Sequence, residues 1–128
     1  MFENLEVTRM ANAMAERAGA RMGVLARNIA NADTPGYKAM DLPSFAETYQ
    51  ESTLPMRATR PGHFNAEGAM SEPEMIKSRA KGADSPNGNT VSLEQEMVKM
   101  ADVRKDHEMA LAIYRNASGI LRASLGKN

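Results

Sequence analysis

The sequence predicts a mainly α fold: two long terminal helices packing side by side, coiled-coil-like, around an irregular middle segment with room for short strands or disorder. Three observations predict it. Apolar residues step by three and four through residues 3–31. A capping signal at Ser92 opens a second periodic run that lasts to residue 125. Between them, Pro55, Pro61, Pro73 and Pro86, with Gly62, Gly68, Gly82 and Gly88, interrupt every regular pattern, because each breaks helix and strand ladders alike. The 128 residues amount to one domain's worth of chain. It divides into an N-terminal helix at 1–31, a turn motif and irregular segment at 32–91, and a C-terminal helix at 92–128.

In the first helix Val7, Ala11, Met14, Ala18, Met22, Leu25 and Ile29 form one apolar stripe. Gly19 and Gly23 interrupt it, each costing about 1 kcal/mol against alanine in a helix. With Ala18, Ala20 and Ala26 they leave a flat surface on which another backbone can lie. Isolated helices are marginal in water, so residues 1–20 are expected to fray in a free monomer.

The helix must stop where Asn28-Ile29-Ala30-Asn31-Ala32-Asp33-Thr34-Pro35-Gly36-Tyr37-Lys38 begins. Proline pushes the residue before it, Thr34, out of the α region. Pro35 presets the second position of a tight turn, and Gly36 supplies the positive φ of a type II turn at the third. Asn31 stands where a left-handed residue would cap the helix. Tyr37–Leu42 then reads as extended or irregular. Ser44 and Glu47 have the spacing of a capping box, and Phe45 and Tyr49, four apart, share a face of the short helix it would open. Weak strand signals lie at Met56–Thr59 and Met75–Ser78, and Ser85-Pro86-Asn87-Gly88-Asn89 is a strong turn signal.

In the last helix Ser92 is the expected N-cap and Gln95 its capping-box partner, together worth roughly 1 kcal/mol. Glu94 and Glu96 occupy the first turn, where the helix dipole favours negative charge. Leu93, Met97, Met100, Leu111, Tyr114, Leu121 and Leu125 fall on one seam, interrupted by Arg104 and His107. Val103, Ala110, Ile113, Ala117 and Ile120 fall on a second. Two seams imply contact with more than one neighbour.

Composition narrows the functional classes. Sixteen basic and sixteen acidic residues give zero formal charge, spread through all three regions, which argues against a nucleic-acid partner and a polybasic membrane anchor. The absence of cysteine removes disulfides and thiolate metal sites. No apolar run approaches a membrane span. Glu3 and Glu6 and the lack of a signal-length apolar core argue against Sec-type secretion, so composition alone defaults to the cytoplasm. Of the apolar residues, 20 are Ala and 11 are Met, small and adaptable groups that suit long helices packing on neighbours.

No catalytic constellation emerges, and no cofactor or metal is expected. His63 and His107 are far apart and lack a metal-ligand spacing, and no Gly-rich phosphate loop follows a strand. His107, between Asp106 and Glu108, reads as part of a solvated helix face. Glu94 and Glu96 suit a helix start better than an acid–base pair.

The string Asn28, Ala30, Asn31, Thr34, Pro35, Gly36 and Tyr37 resembles the Asn-x-Ala-Asn-x-x-Thr-Pro-Gly-Tyr signature near the N-terminus of bacterial flagellar rod and hook proteins. Gly88-Asn89-Thr90-Val91-Ser92-Leu93-Glu94-Gln95-Glu96-Met97 looks like the segment opening the C-terminal helix of the family's proximal rod members. The resemblance covers about residues 1–45 and 85–128; Arg60-Pro61-Gly62-His63-Phe64 matches a Pro-x-His element of the family only in part. It implies a non-enzymatic structural subunit, exported without a cleaved signal through the flagellar type III apparatus and assembled in the periplasmic rod. Its implied partners are other rod proteins, the adaptor joining the rod to the membrane ring, and the export machinery, which Phe45 and Tyr49 would engage. The assembly seam would comprise Val7, Met14, Met22, Leu25, Ile29, Leu93, Met97, Met100, Leu111, Tyr114 and Leu121. Two other classes compete: a helical adaptor or export chaperone binding a partner helix, and a small hydrolase with its site in the middle segment.

Overall fold

The computed structural model describes residues 2–47, 76–77 and 85–126. Helix α1 spans Phe2–Ala30 and helix α2 spans Leu93–Leu125, within a residue of the bounds the periodicity predicts. Asn28 meets Glu96 while Ala15 meets His107, so the helices run antiparallel along each other.

The seam between them is built at heptad spacing, with alanine at four of its seven buried positions. Ala11, Ala18 and Leu25 are buried on α1, and Glu96, Val103, Ala110 and Ala117 on α2. A seven-residue repeat keeps one stripe facing one partner, which is the coiled-coil arrangement. Alanine at the contact lets helix axes approach closely. Larger groups gather toward the chain's central turns, where Leu25, Val103 and Ala18 form the buried cluster with Met22 and Met100 against it.

Of the two seams read in the last helix, the one carrying Val103, Ala110 and Ala117 faces α1. On the other, Met100, Leu111 and Leu121 are half-buried, while Leu93, Met97, Tyr114 and Leu125 are exposed. On α1 the stripe divides likewise: Met14, Met22 and Ile29 are half-buried and Val7 is exposed. Gly19 and Gly23 are exposed, and nothing lies within 4 Å of where a Cβ would stand. Their flat surface is unused within this chain.

Two strands close the fold beside the helices. Strand β1 (Met40–Asp41) pairs antiparallel with β2 (Ile76–Lys77), Met40 opposite Lys77 and Asp41 opposite Ile76. The extended reading of 37–42 and the strand signal at Met75–Ser78 meet in this pair. The expectations for Met56–Thr59, the Pro-x-His element and Tyr49 lie outside the described residues.

Of the two capping boxes expected, one forms and one does not. Ser92 occupies the N-cap position of α2, but its side chain makes no cap hydrogen bond, so the Ser92–Gln95 box is not formed. Ser44 and Glu47 do form one: the Ser44 amide and hydroxyl donate to Glu47 Oε2 at 2.7 and 2.9 Å, and the Glu47 amide donates to Ser44 Oγ at 3.3 Å.

Candidate functional site

The two strings singled out in the sequence fold into one another. Thr34-Pro35-Gly36-Tyr37 forms the expected turn, the Tyr37 amide donating to the Thr34 carbonyl at 3.3 Å and Gly36 holding φ +73°. Any L-residue at that φ is strained, and no neighbour crowds the site, so conformation alone calls for glycine. Ser85–Gly88 forms the facing turn, closed by the Gly88 amide on the Ser85 carbonyl at 2.9 Å, with Gly88 at φ +81°. The glycines lie against each other: a Cβ on Gly88 would stand 3.6 Å from the Gly36 Cα.

Backbone bonds join the turns. The Gly36 amide donates to the Asn87 carbonyl and the Thr90 amide to the Tyr37 carbonyl, both at 3.0 Å. The Ala39 amide donates to Thr90 Oγ1 at 2.8 Å and Lys38 Nζ to the Gly88 carbonyl at 2.7 Å. Asn89, 2% exposed, is the bolt. Its Nδ2 lies 3.0, 2.9 and 2.8 Å from the carbonyls of Asn31, Ala32 and Thr34, and its Oδ1 accepts from the Val91 amide at 2.8 Å. One buried amide thereby gives the Ala32 carbonyl a donor and adds to the Asn31 and Thr34 carbonyls, which already accept from the Thr34 and Tyr37 amides.

Asn31 does not take the left-handed conformation expected of it, since no non-glycine residue has positive φ among those described. The cap is made by side chain instead. Asn31 Nδ2 donates to the Arg27 carbonyl at 2.8 Å, and Thr34 Oγ1 donates to Asn31 Oδ1 at 3.2 Å. Backbone bonds also serve the last turn, the Asn31 amide reaching the Arg27 and Asn28 carbonyls and the Ala32 amide the Ile29 carbonyl, so the chain needs no strained φ.

Asn28 ties this latch to the helices. Fully buried, it donates from Nδ2 to the Met40 carbonyl at 2.6 Å and to Glu96 Oε2 at 2.9 Å, and its Oδ1 accepts from the Met40 amide at 3.1 Å. The Tyr37 hydroxyl, at 3.4 Å from Oδ1, adds a weaker contact. Glu96 is 1% exposed and also accepts from Lys99 Nζ at 3.0 Å. It serves the fold by its hydrogen bonds, beyond the helix-dipole role its position suggests.

An ionic chain continues outward. Arg21 forks onto both oxygens of Asp41, Nε to Oδ1 at 2.9 Å and the second nitrogen to Oδ2 at 3.1 Å, and Lys99 lies 3.9 Å from Asp41 Oδ2. The hydrogen bond to Asp41 raises the Arg21 pKa above its ordinary value against the opposing effect of burial. Arg17 donates twice to the Pro43 carbonyl, at 3.0 and 2.9 Å, and partial burial lowers its pKa.

Among the motif residues, then, Asn28, Asn31, Thr34, Gly36 and Tyr37 meet in the latch. Pro35 and Ala30 are exposed beside it. Sequence reasoning assigned no part in it to Asn89, Glu96, Asp41, Arg21 or Lys99. His107 is not on a solvated face: it is half-buried, with Nδ1 3.3 Å from the Ala15 carbonyl, because its position turns it toward α1. Phe45 is half-buried beside Met14, Ala18 and Val103 around a cleft of about 20 Å³, space on the scale of a water molecule.

Among the described residues no group of three metal-ligating side chains is assembled, and no helix is long and apolar enough to cross a membrane. The latch ties the end of α1 to the segment that opens α2.

Comparison with known proteins gives the family. Residues 11–38 match the family described as flagella basal body rod protein, a span ending just past the first turn. The chain is 35% identical over 109 residues to the flagellar basal body rod protein FlgB of Cereibacter sphaeroides, covering 84% of each chain. To FlgB of Escherichia coli it is 33% identical over 101 residues, 72% of each. To FlgB of Agrobacterium fabrum it is 26% identical over 120 residues, 90% of this chain and 89% of that one. The chain belongs to the FlgB family of structural flagellar basal body rod proteins.

Proposed function

We propose that this chain is an axial subunit of the proximal rod that joins adjacent subunits through the faces of α1 and α2 turned away from each other. The observation that carries this is where the large apolar side chains lie. Leu5, Val7 and Met10 on α1, and Leu93, Met97, Val98, Met109, Tyr114, Ile120 and Leu125 on α2, are 37–67% exposed, while alanines fill much of the internal seam. A subunit that ended its interactions with itself would place the larger groups inside. Contacts between unlike faces of neighbouring copies propagate as a helical array.

Other rod proteins and the adaptor to the membrane ring are the expected neighbours, in the periplasm, reached through the type III export apparatus without a cleaved signal. The family resemblance supports these, as the second string's likeness supports the proximal place. Of the seam residues, Val7, Leu93, Met97 and Tyr114 offer most surface to a neighbour; Met14, Met22, Ile29, Met100, Leu111 and Leu121 flank the internal contact. Leu25 is buried inside the chain and acts by holding it together.

The test is Met97→Glu with Val98→Glu. Both positions are more than 60% exposed, so the purified variant should keep wild-type helicity and melting while cells carrying it lose motility and assembled rods. A motile strain would count against the assembly reading. Gly36→Val probes the latch separately. Forcing a β-branched residue to φ +73° costs about 1–3 kcal/mol, and the expected outcome is normal expression without motility.

A further inference from the structure

We propose that Asn87 is a conditional modification site: interlocked turns keep its side chain from cyclising onto the residue 88 nitrogen, and when they part it deamidates through a succinimide. Of the nine asparagines in the chain, only Asn87 precedes a glycine, whose missing Cβ leaves the following nitrogen open to approach the side-chain carbon.

The chemistry needs only base and water. The Gly88 nitrogen gives its proton to solvent base and bonds to Asn87 Cγ; the Cγ–Nδ2 bond breaks and ammonia leaves. Water then opens the five-membered ring at either carbonyl. Breaking the new bond to Cγ yields aspartate. Breaking the bond to the original main-chain carbonyl yields isoaspartate, with the main chain routed through Cβ and Cγ. Nothing is oxidised or reduced.

In the folded latch each reacting group is held elsewhere. The Gly88 N–H donates to the Ser85 carbonyl at 2.9 Å, and Asn87 Oδ1 accepts from the Asn89 amide at 3.1 Å. The Asn87 carbonyl accepts from Gly36, and Lys38 Nζ holds the Gly88 carbonyl at 2.7 Å. Asn87 is exposed, so solvent reaches it freely and the protection is conformational. The two products differ in consequence. Aspartate keeps the backbone and an acceptor oxygen, so the turn can close again. Isoaspartate adds a main-chain atom inside the turn and turns the carbonyl that receives Gly36 into a carboxylate branching off the main chain, so Asn89 loses its alignment with the end of α1. A chain that dwells unlatched thereby loses the capacity to latch.

The test follows Asn87 by peptide mass spectrometry in the full-length protein, held in mildly alkaline buffer with and without unfolding urea. Deamidation should be about tenfold or more slower in the native buffer, the factor set by an opening free energy of about 1.4 kcal/mol. Asn89→Ala should bring the native rate toward the urea rate, and the milder Lys38→Met should move it part of the way if the first variant does not fold. Equal rates for the wild type with and without urea would overturn the proposal, as would another asparagine reacting first in urea. Finally, Asn87→Asp should melt like the wild type and the purified isoaspartyl chain well below it; identical melting of the two would remove the consequence.

Discussion

The two ends of the helical hairpin are built by opposite means. At the latch end Asn28, Asn89 and Glu96 are buried polar groups with every bond aimed at a named partner. Toward the open end, the last polar contact between the helices among the described residues is His107 on the Ala15 carbonyl. Beyond it the internal contact rests on Ala11, Ala110 and Ala117, while Leu5, Val7, Met10, Met109, Tyr114, Ile120 and Leu125 face outward. Hydrogen bonds are directional and fix one register; apolar burial is not directional and can be completed by any complementary surface. The latch end therefore specifies how the chain meets itself. The open end leaves most of its large apolar surface exposed.

The largest effect that could break this contrast is at Asn28. Asn28→Ala strips Glu96 of a buried partner and leaves the Met40 amide and carbonyl unpaired, a loss of about 3–5 kcal/mol readable by urea unfolding. A loss no greater than that of an exposed substitution would show that the latch does not hold the hairpin. Next comes the seam. Ala110→Leu forces a large group into the face that is 0% exposed and should cost about 1–3 kcal/mol. Met97→Ala, on the outward seam, should stay within about 0.5 kcal/mol. If the two ranked the other way, the assignment of inner and outer seams would be reversed.

Amide exchange sharpens the comparison without altering the chain. Amides at 22–29 and 96–103 should exchange slowest, and those at 3–10 and 114–125 fastest, because opening costs least where few bonds and little large apolar burial resist it. Strong protection of residues 3–10 in dilute protein would mean that the monomer is already complete at its open end.

Much of this was legible in the sequence, for local reasons. Helix bounds follow from spacing, and Gly36 follows from the φ that a Thr-Pro-Gly-Tyr turn demands. Which of two adjacent seams faces inward was not legible, because both carry apolar residues and the choice depends on how closely alanines let the helices approach. The latch itself was half legible. Both strings stood out, yet their mating joins residues more than fifty apart, as in Asn31 with Asn89, and no local rule reports such a contact. Glu96 misled for a related reason: a glutamate in a first helical turn has an ordinary explanation in the dipole, which conceals that the side chain is buried on Asn28. Ser92 shows the converse. It has the residue type of a cap, but the segment before α2 is already held by Asn89 and Thr90, and the hydroxyl makes no cap bond.

The smallest expected effect concerns the Ser44–Glu47 box, just after the latch. The Ser44 amide, and after it the Ser44 hydroxyl, donate to the Glu47 carboxylate and lower its pKa below the usual 4.5. Both donors favour the charged form. A carboxyl whose folded pKa is depressed contributes stability that is present above its unfolded pKa and is lost as pH falls through the folded one. The box should therefore hold at neutral pH and release only in acid, below the range where free glutamate titrates. Carboxyl NMR of Glu47 reads this directly. Ser44→Ala removes the hydroxyl donor and keeps the amide, so the midpoint should rise part of the way toward the ordinary value. Because Glu47 is solvent-exposed, global melting should scarcely move. A midpoint unchanged by Ser44→Ala would assign the shift wholly to the backbone amide and reduce the box to a single bond.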